Sequence, residues 1–205
     1  MPKMNDYQKE QLEALNIVRS GILRLGDEKV HKLTEKISAY MKFRQRVDHF
    51  LNKYFSQVCS HTCYRSRTSA CCSRDGIITF FADTVVNALL TDWHALDRLE
   101  TALKRVNPGH RCVYLADDGC MWTVRPVVCA MFLCDQAKSA VFKNAPQTEF
   151  EWQSLREQEK TFKWPDRSVL FDDLEKVFLD LGYRSTLMHL NLSPGLLKVK
   201  KIAGL

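Results

Sequence analysis

Eight cysteines supply most of the reactive chemistry in this 205-residue chain: Cys59, Cys63, Cys71, Cys72, Cys112, Cys120, Cys129 and Cys134. None precedes Cys59 and none follows Cys134. They form two groups of four, spaced C-x3-C-x7-C-C and C-x7-C-x8-C-x4-C. Three chemistries suit such a set. Free cysteine packs in cores as a small hydrophobe. Cys129 and Cys134 lie in an apolar run and fit that account, whereas Cys59, Cys63, Cys71 and Cys120 lie among polar residues and do not. A disulfide framework belongs to small exported domains in oxidising compartments. The third chemistry is ligation of zinc or an iron–sulfur cluster by thiolates, which a reducing compartment keeps available. We read all eight cysteines as candidate ligands of this kind.

Charge and neighbours fit ligation. The chain has 30 Lys and Arg against 24 Asp and Glu, a formal net charge of +6. Two zinc ions or two [4Fe–4S] clusters held by eight thiolates would offset most of it. Four thiolates around one divalent ion leave negative charge that second-shell donors must balance. Arg65, Arg67, Arg74, Arg111 and Arg125 lie close to cysteines in sequence, and Arg125 is the candidate donor to a bound centre. His61 and His110 stand beside the cysteines and read as surface residues. The vicinal pair Cys71-Cys72 is awkward for chelating one tetrahedral ion, because adjacent side chains tend to diverge. Two interleaved centres and one centre with spare thiols both accommodate it.

The remainder must position these thiols, and it reads as helix. At 23.8 kDa, with 45% hydrophobic and 26% charged residues, the chain resembles an ordinary globular protein, which excludes wholesale disorder and collagen-like structure. No apolar run approaches the roughly 18 residues of a membrane span. The N-terminus lacks a signal-peptide core, so the expected compartment is the cytoplasm.

Leu12, Leu15, Val18, Ile22 and Leu25 predict a helix over 7–25, broken at Gly26-Asp27. Val30, Leu33, Ile37, Met41, Val47, Leu51 and Tyr54 predict a second helix, whose basic face carries Lys36, Lys42, Arg44 and Arg46. We read that face as solvated rather than as a nucleic-acid surface. Ile77 to Phe81 favours strand or helix; Asp83 or Thr84 caps a helix through Leu90, and Asp92 caps another that stops at Asn107-Pro108-Gly109. The segment Ala116-Asp117-Asp118-Gly119 predicts a hairpin between 111–115 and 120–124, which would bring Cys112 and Cys120 together. Val127 to Cys134 is read as starting a helix that carries Cys129. Amphipathic helices follow over 148–162 and 167–181, separated by a break at Trp164-Pro165-Asp166, with a looser end near Ser193-Pro194-Gly195. The expected fold is mainly α with a small β-hairpin, a helical shell around a cysteine-ligated metal centre. It forms one domain over 1–205: a helical hairpin (1–58), a cysteine core (59–134) and C-terminal helices (135–205).

The second cysteine group resembles the YkgJ-type cysteine-cluster family of zinc- or iron-chelating bacterial proteins. The resemblance rests on Cys112-Val113-Tyr114-Leu115, Gly119-Cys120-Met121-Trp122 and above all Arg125-Pro126-Val127-Val128-Cys129-Ala130-Met131-Phe132-Leu133-Cys134. The pair Cys71-Cys72 matches the family's paired cysteines, and the resemblance spans about 59–134. The chain departs from the pattern at Val113 and Leu133, where proline is common, and at Ala130, where arginine is common. Flagellin lysine N-methylase belongs to the same family, so the resemblance implies a [4Fe–4S] cluster slightly more than zinc, and a protein as possible partner or substrate.

Eight scattered glycines form no phosphate-cradling loop, and no Ser-His-Asp set stands out. The expected function is therefore a cytoplasmic metal-binding protein with a structural or redox centre. An iron–sulfur-dependent group-transfer enzyme such as a protein lysine N-methylase is the alternative. Zinc-stabilised nucleic-acid binding is a weaker one.

Overall fold

A computed structural model describes residues 4–66, 71–73, 78–107, 109–163 and 169–188. Helix α1 (Asp6–Leu25) starts with a reciprocal cap: Gln8 N–H donates to Asn5 Oδ1 at 2.8 Å, and Asn5 N–H donates to Gln8 Oε1 at 3.2 Å. It stops at Gly26, whose φ of +75° suits glycine. The predicted second helix is two helices, α2 (Asp27–Lys36) and α3 (Ser38–Phe55), joined at buried Ile37, where ψ opens to −3°. The joint lets α2 pack on α4 (Phe81–Leu90) while α3 packs on α7 (Asp135–Phe142) and α8 (Gln147–Glu159).

Helix α4 is not capped by Asp83 from the outside. Asp83 lies in its first turn, and Phe80 N–H donates back to Asp83 Oδ2 at 2.9 Å. Helix α5 (Trp93–Lys104) is capped as expected, with Ala95 N–H donating to Asp92 Oδ1 at 2.8 Å. Helix α9 spans Leu170–Asp180. The expected breaks at Pro108 and at Trp164-Pro165-Asp166, the end near Ser193-Pro194-Gly195, and Arg67, Arg74, Gly76 and Ile77 lie outside the described residues.

Aromatic rings fill the larger core. Phe50 stacks on Trp152 with centroids 5.4 Å apart, Tyr40 meets Phe171 edge-on at 5.4 Å, and Phe81 meets Phe178 edge-on at 5.2 Å. Helix α1 approaches α9 so closely that a Cβ on buried Gly21 would stand 2.2 Å from Phe178 Cε1. A smaller cluster joins Leu15 of α1 to Leu96, Leu99 and Leu103 of α5 and to Tyr114 and Trp122 of the hairpin.

That hairpin is present but shorter than its sequence suggests. Strands β1 (Leu115–Ala116) and β2 (Gly119–Cys120) pair antiparallel in the register Leu115↔Cys120 and Ala116↔Gly119. The turn residues are Asp117-Asp118, and Gly119 takes the positive φ of +124°. Met121 N–H adds one more bond to Tyr114 O at 2.9 Å. The incoming strand shortens because Arg111 and Cys112 have another partner: Arg111 pairs with Ser73, and Cys112 N–H donates to Cys72 O at 2.8 Å. Helix α6 (Val127–Ala130) is a single turn rather than a helix reaching Cys134. The chain leaves it at Met131, which buries Met131 and Leu133 and exposes Phe132.

Among the described residues, no helix is long and apolar enough to cross a membrane.

Candidate metal centre

Three local structures carry the cysteines. Past α3 the chain continues as a π-helical segment, Ser56–Tyr64, with Cys59 and Cys63 four residues apart. Such wide helices are rare and recur at functional sites. Apolar periodicity does not announce one, and the sequence reading missed it. Cys72 and Ser73 lie against the segment that leads into the hairpin: Cys112 N–H donates to Cys72 O, and Ser73 pairs with Arg111. Cys129 sits in the one-turn helix α6, and Cys134 caps α7, a helix that packs on the π segment.

All eight thiols are free. None is fully buried: Cys71 and Cys120 are exposed and the other six are half-buried. Protein still surrounds the sulfurs enough to penalise their ionisation. Burial pushes Cys59 up to about 11, helped by the neighbouring Cys71, Cys134 and Cys63. It pushes Cys112 up to about 12, with Cys120 and Cys129 adding repulsion and the Tyr114 N–H opposing it. Cys129 rises to about 11 through burial, then through Asp83 and Cys120. Cys120 rises through burial, opposed by the Trp122 N–H. The Cys71 thiol hydrogen-bonds Cys72, which holds Cys71 strongly up and Cys72 below the ordinary thiol value.

Cys71, Cys134 and Cys63 thus act on Cys59, whereas Cys112, Cys120 and Cys129 act on Cys72. Arg125 favours the thiolate of Cys59, Cys71, Cys120 and Cys129. His61 and His110 are exposed.

A buried polar clamp holds the segment that bears Arg125. Asn87 on α4 grips Val124 from both sides: its Nδ2 donates to Val124 O at 2.9 Å, and Val124 N–H donates to its Oδ1 at 3.0 Å. Arg44 Nη1 donates to Arg125 O at 2.6 Å and to Tyr40 Oη at 3.1 Å. Val127 N–H donates to Asp83 Oδ1 at 3.0 Å. Complete burial raises the Asp83 carboxyl to about 6, against the pull of the Phe80 and Val127 N–H groups and of Arg44.

Arg44 corrects the solvated-face reading. Lys42 and Arg46 are exposed, but Arg44 is only 1% exposed. Its position four residues after Tyr40 and three before Val47 places it on the apolar stripe. That spacing was the available signal.

A second polar group lies beside Cys112 and Cys129. Half-buried Tyr7 and buried Tyr114 stand there with strongly raised phenol pKa values, burial being the main cause, and Tyr114 Oη donates to Gln11 Oε1 at 3.4 Å. On the other side of the 131–133 segment is an open cavity of about 320 Å³, lined by Met131, Phe132, Leu133, Phe142, Trp152 and Arg156 among others. No cysteine lines it.

Among the described residues, no three His, Cys, Asp or Glu side chains stand in an arrangement that could hold a metal ion as drawn. The donor type, unbridged thiols, is the one that thiophilic metals take. No family model, curated protein or solved structure matches the chain. The reading of the site therefore rests on its own residues.

Proposed function

We propose that this protein binds zinc or an iron–sulfur cluster through its cysteines, in a centre that is structural or redox-active. The observation that carries the reading is a set of eight unbridged thiols from separate stretches of chain, four of which, Cys59, Cys71, Cys120 and Cys129, feel the charge of Arg125. Packing alone does not account for them, since none is buried. In the reducing cytoplasm, the compartment we propose, the thiols stay available as ligands. A bound cation would relieve the mutual repulsion that resists their ionisation. Cys59, Cys63, Cys71, Cys72, Cys112, Cys120, Cys129 and Cys134 would supply the thiolates, and Arg125 would balance their charge. Zinc would cross-link the strand, turn and helix ends that carry them, whereas an iron–sulfur cluster would add electron transfer. The clamp of Arg44, Asp83 and Asn87 holds the Arg125 segment in either case.

Anaerobic purification followed by elemental analysis and a visible spectrum tests the proposal. Iron with sulfide and a broad absorption near about 400 nm supports the cluster. A colourless protein with stoichiometric zinc supports the structural centre. Protein that emerges free of both, and takes up neither on reconstitution under reducing conditions, overturns it.

A further inference from the structure

We propose that the open cavity between α7, α8 and the 131–133 segment binds a small apolar monocarboxylate, its hydrocarbon body seated on Met131, Leu133, Phe142 and Trp152 and its carboxylate held by Lys138 and Arg156. The inference goes beyond the metal-binding reading and does not depend on it, since no cysteine lines this cavity.

The backbone accounts for the floor. Helix α6 stops after one turn, and the chain leaving it buries Met131 and Leu133 while Phe132 stays 53% exposed. Phe142 and Trp152 come from α7 and α8 and are buried as well. Four buried apolar side chains therefore line a space that is open to solvent. Its volume of about 320 Å³ lies at the lower end of the roughly 300–1,000 Å³ of small-molecule sites. An apolar body placed on that floor gains by leaving water.

Charge at the rim selects the polar end of the ligand. Glu149, Gln153 and Arg156 follow at intervals of four and three on α8 and share a face. Arg156 is held in place: its Nη1 donates to Met131 O at 3.2 Å, which uses one of five guanidinium N–H donors. Its Nε stands 3.8 Å from Glu159, a buried carboxylate that Lys163 also approaches at 3.1 Å. Lys138 on α7 pairs with Asp135 at 3.3 Å, but that carboxylate is fully exposed, so the pair is weak. Both cations line the cavity against one carboxylate, Glu149. Glu149 precedes Arg156 by two helical turns, about 10 Å along the axis, and leaves the arginine end positive. A guanidinium fork beside an ammonium matches a carboxylate. Glu149 repels a second anionic group, so the fit is to a monocarboxylate rather than a dicarboxylate.

Calorimetric titration of the full chain with 4-phenylbutyrate and octanoate tests the assignment, with 4-phenylbutanol, 4-phenylbutylamine and suberate as comparison probes. The expected result is saturable binding of the two monocarboxylates at one site, with Kd of about 0.1–1 mM. Affinity for the other three probes should be about 10-fold lower. A change in tryptophan fluorescence should accompany binding and vanish in Trp152→Phe. Arg156→Met and Lys138→Met keep an aliphatic stem, and each should lose about 10-fold for the acids with the alcohol unchanged. Gln153→Trp crowds the rim and should weaken every probe. Equal binding of acid, alcohol and amine overturns the proposal, as does native affinity for the acids in both methionine variants. Failure of either acid to bind at about 10 mM also overturns it. If only a peptide ending in a free C-terminal leucine binds, the site belongs to a protein terminus and the proposal fails. If a variant loses helix content by circular dichroism, the probe series on the native chain decides.

Discussion

The aromatic core and the cysteine layer of this molecule are built on opposite principles. Around Phe50, Phe81 and Phe178 the helices are regular and their contacts are dry, and shape alone accounts for the packing. Between Ser56 and Cys134 the cysteines sit on a π segment, a hairpin with two residues per strand and a single helical turn. The π segment buries none of its residues, and the clamp from α3 and α4 ties down the chain before the helical turn. The difference teaches where stability and chemistry are kept apart. The first region folds by excluding water, and the second is held in place by its neighbours.

Breaking the core should cost most. Phe178→Ala removes a fully buried ring that packs on Phe81, and we expect a loss of about 3–5 kcal/mol in urea unfolding of the metal-free protein. By contrast, Cys129→Ser in the metal-free state should leave the unfolding midpoint nearly unchanged. An equal loss in the two variants would erase the distinction between the two regions.

Asn87→Ala tests the joint between the regions. It strands the buried polar groups of Val124, and the expected loss is about 1–3 kcal/mol. Metal content should fall as well, because the segment carrying Arg125 and Cys129 is released. Destabilisation with full metal content would show that the clamp serves the core alone.

Arg125→Gln addresses the cysteine layer itself. Its expected effect is a 10- to 100-fold weaker hold on zinc, roughly that of losing an outer-shell partner, measured by competition with a chromophoric chelator. The unfolding midpoint of the metal-free protein should not move.

The smallest effect concerns pH. Asp83 titrates near 6 in the folded protein, above the ordinary carboxylate value of 3.8, so the folded state holds this proton more tightly than the unfolded chain does. Its contribution to stability is complete below about pH 4 and declines as pH rises through about 6. Urea unfolding of the metal-free protein across that range should show the decline, and Asp83→Asn should flatten it. A profile for Asp83→Asn that matches the native one would assign the slope to another group.

Sequence made some of this legible. Helices α1, α5, α8 and α9 follow from apolar spacing, α5 also from its Asp92 cap, and the Asp-Gly turn located the hairpin. Helix α7 escaped because its eight residues offer only Ala137, Val141 and Phe142 as buried positions. The π segment escaped because its apolar positions follow no helical period. Arg44, Asp83 and Asn87 escaped for a different reason: pattern reading sends polar residues to solvent, and these three face inward to hold a backbone that has no ladder of its own. The cysteines were visible as candidates, but pairings between distant stretches, such as Cys72 with Cys112, are not encoded by spacing.

Helix α1 spans both hydrophobic clusters. Its consecutive residues Ala14 and Leu15 belong to different clusters, the first to the aromatic core and the second to the group around Trp122. One turn and a half further on, Gly21 lies against Phe178 with no room for a methyl group. The helix is therefore a stiff spar pinned at one end by a bare hydrogen. Added bulk at that pin would tilt the whole rod, and the tilt would reach the hairpin through Leu15.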